Sequence, residues 1–186
     1  MGNREDLLTG ARACLVTKGY ARTTVRDIAT AAGVSMAAIG YHFGTKEALL
    51  TEALIDATRE WGTDLEQALA RVPDRPDDPW QRLADRWDAV LETIAAHRGV
   101  WSATFDALAD PDLRARLATN LDEARAGLAR LFDAADENDT AAAHSVGALH
   151  QALLTGIAAQ YLIDPDRAPT GRDLADALRR MTHAAQ

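Results

Sequence analysis

Apolar positions recur along this chain at helical spacing almost from its start. Leu7, Leu8, Ala11, Cys14 and Leu15 mark one face of a first helix, which Gly19 closes. A short helix is expected from about Thr24 to Ala32, with Val25, Ile28, Ala29 and Ala32 facing inward and Gly33 breaking it. A second short helix starts at Ser35, turns Ile39 and Phe43 inward, and ends at Gly44-Thr45. A long helix starts at Lys46, and its apolar face runs through Leu49, Leu50, Ala53, Leu54, Ala57, Trp61, Leu65 and Leu69. The Pro- and Asp-rich stretch from Pro73 to Pro79 reads as a loop. Further helices are expected over about 79–97, 99–109, 111–137, 139–163 and 170–184. The pattern predicts an all-α fold of about nine helices.

Composition excludes the main alternative. The chain has 39 Ala and 22 Leu against 13 Val and Ile combined, so helix formers dominate and a sheet protein is ruled out. Cys14 is the single cysteine, which excludes a disulfide framework or a Cys-rich metal site. The histidines at 42, 97, 144, 150 and 183 contain no i, i+4 pair, and Asp77-Asp78 falls in the Pro-rich loop, where a solvated turn is expected. No metal and no cofactor are expected, and no phosphate-cradling or nucleophile-elbow motif is present. The start of the chain (Arg4, Glu5, Asp6) lacks an apolar run, so the expectation is a cytoplasmic protein without a secretory signal.

The net charge of −8 argues against coating nucleic acid by bulk electrostatics, but it is unevenly distributed. Residues 1–50 carry +2 and residues 51–186 carry −10, which fits two jobs in one chain. The 24 residues from Thr140 to Ile163 contain no Lys, Arg, Asp or Glu. Their length would span a bilayer, yet His144, His150, Gln151, Thr155 and Gln160 interrupt them and no basic anchor bounds them, so no membrane is expected. A helix this uncharged needs cover nearly all round. A small-residue stripe (Ala141, Ser145, Ala148, Ala152, Gly156, Ala159) admits a close second helix, either within the core or across a subunit interface. With Leu174, Leu178 and Met181 on the last helix, the interface reading predicts a homodimer joined through four helices.

Residues 24–43 form the sharpest local signal: two helices of eight to nine residues across a tight Gly turn, the dimensions of a helix-turn-helix. Thr24 is placed to cap the first helix, with Asp27 as capping-box partner, and Ser35 to cap the second. In such a unit the second helix enters the major groove with its N-terminal residues at the base edges. The outward residues there are Met36, Ala37, Gly40 and Tyr41, which fit methyl contacts better than an arginine–guanine pair. A two-fold protein then calls for a palindromic or near-palindromic double-stranded DNA operator.

The run Gly19-Tyr20, Thr23-Thr24-Val25-Arg26-Asp27-Ile28-Ala29, Ala32-Gly33-Val34-Ser35 and Ile39-Gly40-Tyr41-His42-Phe43-Gly44-Thr45-Lys46-Glu47-Ala48-Leu49-Leu50 resembles the DNA-binding domain of TetR-family transcriptional regulators. The resemblance implies a DNA-binding domain over 1–46 and a ligand-binding and dimerisation domain over 47–186. It implies a phosphate contact from Lys46, backbone contacts from Thr24, Tyr41 and His42, and a regulator rather than an enzyme. Gly40 stands where many members carry an aromatic, which passes that phosphate contact to Tyr41 or His42.

Five of the ten aromatic residues (Trp61, Trp80, Trp87, Trp101 and Phe105) fall between positions 61 and 105. Clefts between helices lined by such side chains are ordinary ligand sites, and core packing accounts for the same residues. The resemblance places an effector cavity in this region, with Trp61, Trp87, Trp101 and Phe105 as ligand-binding candidates. Indole faces suit flat lipophilic molecules, and the acidic surroundings (Asp88 beside Trp87, Asp106 beside Phe105) favour a cation. The expected function is a ligand-responsive repressor. An all-helical enzyme using Asp88 or Asp106, or a helical interaction protein, requires none of the DNA-facing chemistry of residues 24–46.

Overall fold

The computed structural model describes residues 2–119, 121–132 and 140–184. Among these lie ten helices and no strand: α1 (Asn3–Lys18), α2 (Val25–Ala32), α3 (Met36–Phe43), α4 (Lys46–Ala70), α5 (Pro79–Ala96), α6 (Arg98–Ala107), α7 (Pro111–Thr119), α8 (Leu121–Leu131), α9 (Thr140–Ile163) and α10 (Gly171–Ala184). The all-α expectation holds, and helix starts fall within about two residues of those read from periodicity. The count is one higher because the span 111–137, expected as one helix, contains both α7 and α8. Within that span residues 120 and 133–137 lie outside the described residues, as does residue 139 of the span 139–163.

The chain divides into two compact units, residues 1–62 with 97–118 and residues 63–96 with 119–186. Residues 1–46, expected as the DNA-binding domain, lie wholly in the first unit, which also takes in most of α4, all of α6 and most of α7. The core explains why. Leu7, Ala11, Cys14 and Leu15 of α1, Ile28 of α2, Ile39 of α3 and Leu49, Leu50, Ala53, Leu54 and Ala57 of α4 bury together with Val100, Ala103, Ala107 and Leu113. Three short helices expose too much of one another to bury a core alone, so the α6–α7 segment supplies apolar surface to them. Cys14 is a small buried core residue, and burial pushes its thiol pKa up.

The α1–α2 contact is set by a residue that periodicity alone does not distinguish. A methyl group at Gly10 would stand 2.8 Å from the Ala32 backbone nitrogen and 3.0 Å from the Ile28 carbonyl oxygen. Glycine at position 10 therefore permits the two helices to touch backbone to backbone.

In the second unit α8 packs on α9, α10 on α5 and α5 on α9. Trp87 of α5 lies against Phe132 (ring centroids 5.1 Å apart), and His150 of α9 stacks on Phe132 at 4.3 Å with ring planes 19° apart. The His150 Nδ1–H donates to the Val146 carbonyl at 3.0 Å. Burial holds the His150 pKa below the usual histidine value, with the nearby Arg86 charge acting in the same direction. Along α9, Gly147, Leu154, Ile157 and Ala158 face inward, while Ala141, Ser145, Leu149, Ala152, Gly156, Gln160 and Ile163 face solvent. Within the 20-residue stretch His144–Ile163 only Gly147, Leu154, Ile157 and Ala158 are buried by the rest of the chain.

Two outcomes follow for stability. Gly10→Ala gains helix propensity but forces α1 from α2, and the net cost expected is about 1–2 kcal/mol, read as a lower urea midpoint at unchanged slope. His150 titrates lower in the folded than in the unfolded chain, so the unfolded state takes up the proton first as pH falls. Its contribution to stability is complete above about pH 6.5 and declines as pH drops towards the depressed folded value. Melting temperatures at pH 7.5 and 5.5 should differ more in the wild type than in His150→Phe, which keeps the stacked ring and removes the titration.

Candidate nucleic-acid interface

Thr23 and Thr24 join α1 to α2. Thr23 is 1% exposed, and its hydroxyl donates to the Gly19 carbonyl at 2.7 Å, occupying an acceptor at the end of α1. Thr24 is the N-cap of α2 in a complete capping box: the Asp27 N–H donates to its hydroxyl oxygen at 3.2 Å, and its own N–H donates to the Asp27 carboxylate at 3.0 Å. Lys18 reaches the same carboxylate at 2.5 Å. The Lys18 ammonium and the Thr24 donors hold the Asp27 carboxyl down to about 2. Helix α2 ends at Gly33 (φ 67°, ψ 25°), where the Gly33 N–H donates to Thr30 and the Val34 N–H to Ala29. That left-handed residue is what makes the turn tight.

Helix α3 follows. Ala38 and Ile39 are buried and Phe43 packs against the core, which fixes the outward face. Met36 (53% exposed), Ala37, Gly40 and Tyr41 (85%) point to solvent. Met36 and Tyr41 leave two large side chains open on this one face. At Gly40 an added Cβ meets nothing within 4 Å, so no contact among the described residues demands glycine there. His42 is half-buried, its ring edge-on to Tyr41 with centroids 4.9 Å apart. Ser35 occupies the N-cap position as expected, but its side chain makes no capping hydrogen bond. The exposed hydroxyl sits beside the outward face.

Lys46 opens α4 and its Nζ donates to the Thr23 carbonyl at 3.2 Å, with the Glu47 carboxylate 3.4 Å away. This brings the ammonium next to the α2 N-cap residue Thr24. Three of the other five Lys and Arg residues of positions 1–50 are also tied down: Arg4 to Glu52, Arg12 to Glu60 and Lys18 to Asp27. Arg22 donates to the Lys18 carbonyl. Arg26, which sequence reasoning did not single out, has no such ion pair among the described residues. It lines an open groove of about 540 Å³ with Ala29, Thr30, Gly33, Val34, Ser35 and Met36, directly beside the start of α3. Its signal in the sequence is only its place on the polar side of α2, shared by many helix-surface arginines.

The aromatic candidates divide between the units. Trp61 and Trp101 meet in the first, with Phe105 one turn beyond Trp101. Trp87 belongs to the stack with Phe132 and His150 in the second, and is 1% exposed. The carboxylates that favoured a cation are placed otherwise. Asp88 accepts the Gly171 N–H at 2.7 Å at the start of α10, and Asp106 is exposed beside Gly19.

Known proteins share this arrangement. The family described as bacterial regulatory proteins, tetR family, matches residues 7–53, from α1 into α4. The HTH-type transcriptional repressor AcnR of Corynebacterium efficiens is 35% identical over 133 residues, covering 67% of this chain and 69% of that protein. The HTH-type transcriptional repressor KstR2 of Mycobacterium tuberculosis (strain H37Rv) is 33% identical over 94 residues, 50% of this chain and 45% of that protein. The crystal structure of a transcriptional regulator from Rhodococcus sp. Rha1 matches with a TM-score of 0.63 and 26% identity, over 94% of this chain and 91% of that one. On its helix-turn-helix and on a repressor relative aligned over two-thirds of both chains, this protein belongs to the tetR family and is a DNA-binding transcriptional repressor.

Proposed function

We propose that the chain is a ligand-responsive repressor, acting in the cytoplasm, that binds a palindromic or near-palindromic operator as a homodimer and leaves it when a small lipophilic effector binds. The observation that carries the DNA half of this reading is the outward face of α3. Met36, Ala37, Gly40 and Tyr41 stand on a helix whose opposite face is locked into the core. Small and apolar groups at those positions suit thymine methyls and shape, and phosphate contacts fall to Ser35, His42, Lys46 and Arg26 beside them and to Thr24, whose hydroxyl donates to Asp27 in the free protein. Gly40, which no contact among the described residues demands, lets the helix backbone come close to the base edges.

The effector half rests on Trp61, Trp101 and Phe105, grouped within the first unit; Trp87 reads as core of the second. A ligand shifts the protein off DNA only by binding the DNA-incompetent state better. Trp61 and Lys46 lie on one continuous helix, so a tilt of α4 moves both. Dimer formation rests on α9, whose uncharged outward face is left uncovered by its own protomer. A second copy supplies cover of matching chemistry, with the two recognition helices roughly 34–36 Å apart for half-sites one turn apart.

Anisotropy titrations with DNA from the gene's own upstream region test the interface. Lys46→Ala and Arg26→Ala should each flatten the slope of log K against log salt by about 0.9, the value for one phosphate. Gly40→Ala should raise the melting temperature, since helix propensity improves by about 1 kcal/mol, yet weaken operator binding at least tenfold. Full operator binding by all three variants would sink the DNA reading. For the dimer, Ala152→Glu places an unpaired charge in the expected interface. Sedimentation should show a wild-type dimer and a folded monomeric variant at micromolar concentration; a monomeric wild type refutes the assembly.

A further inference from the structure

Trp61 of α4 and Trp101 of α6 meet edge to face, with ring centroids 5.0 Å apart and planes at 82°. Phe105 lies 6.1 Å from Trp101, its ring tilted by 35°. Both indoles are 9% exposed, and neither Nε1–H reaches an acceptor among the described residues; the Trp87 Nε1–H, in the core of the second unit, is likewise unpaired there. Buried indole N–H groups ordinarily find a partner, and two orphans in one cluster call for an explanation. The nearby hydroxyls are directed elsewhere: Thr58 donates to the Leu54 carbonyl and Thr104 to the Val100 carbonyl. The cluster thus holds two unpaired donors among packed aromatic rings.

We infer that the effector is a planar, lipophilic molecule bearing a carbonyl or carboxylate oxygen, which accepts a hydrogen bond from the indole N–H of Trp61 or Trp101. The inference rests on the effector reading of this cluster and narrows its ligand class. It also reverses the cation preference expected from the sequence. A cation needs an open ring face, and the edge-to-face contact takes one face of one indole. The ring edges, where the N–H groups lie, are positive and repel a cation. An oxygen acceptor meets the same edges with the complementary sign, and in a dry site the resulting bond is stronger than in water.

The test uses three probes on one ring system: 2-naphthoate, its methyl ester and 2-naphthylmethylammonium. Indole N–H resonances are followed by nitrogen-edited NMR in the wild type, Trp61→Phe and Trp101→Phe, and operator binding is followed in parallel. Each Phe variant keeps an aromatic ring and removes a donor, and each assigns one resonance. The expected result is downfield movement of the Trp61 or Trp101 indole proton with naphthoate or its ester, at least tenfold tighter binding of that probe than of the ammonium, and loss of that margin in the corresponding variant. Binding of the ammonium as tightly as the others, or acceptor binding that leaves both indole protons and both variants unaffected, overturns the inference. An N–H directed at the neighbouring ring and nothing else would give that second outcome. Movement of the indole protons without any change in operator affinity upholds the ligand chemistry and overturns the effector reading. Absence of binding by all three probes at millimolar concentration overturns both.

Discussion

The recognition surface depends on a junction of three helix ends at Thr23. Its hydroxyl binds the end of α1, its carbonyl takes the Lys46 ammonium from the start of α4, and its successor Thr24 caps α2. Buried backbone groups have to be satisfied, and here their partners come from three different helices. The hydroxyl and the ammonium therefore do more than stabilise: they set where α2 and α4 begin, and so where α3 lies between them. On the proposed phosphate role, a lysine that is already hydrogen-bonded within the protein is pre-positioned, with less side-chain entropy left to lose on DNA.

Electrostatics at this surface are economical. Acidic partners neutralise Arg4, Arg12 and Lys18, and Lys46 lies beside Glu47. The +2 charge of residues 1–50 does not describe a diffuse basic patch. On the proposed interface it leaves few unpaired cations for phosphates, and shape and methyl contacts from α3 take a larger share of the discrimination. Such a protein relies less on counterion release than a broadly basic binder, in keeping with its overall charge of −8.

The helix-turn-helix was legible in the sequence because local chemistry encodes it. The capping box, Gly33 in the left-handed region and the alternation of Ile28, Ile39 and the outward residues are all short-range signals. The uncharged α9 was legible for the same reason. What depended on long-range pairing was not. Trp87 is close in sequence to Trp101, yet the chain passes from one unit to the other between them. Asp88 looked available beside an aromatic, but a partner 83 residues away takes its carboxylate. Arg26 stands out only after the other cations of residues 1–50 are matched to their carboxylate or carbonyl partners. The close approach at Gly10 depends on a neighbouring helix that periodicity does not locate.

The first unit is discontinuous: residues 63–96 leave it before α6 and α7 return to complete its core. During synthesis the amino-terminal helices emerge first, but the apolar surface that Val100, Ala103, Ala107 and Leu113 cover stays open until those residues leave the ribosome. The nascent chain must hold a partly formed helix-turn-helix while α5, which belongs to the other unit, is being made. A truncation after α4 would inherit the same open core permanently. The DNA-binding end of this protein is therefore not a detachable module, and exchange of carboxy-terminal halves between relatives by simple recombination at the end of α4 would remove part of its own interior.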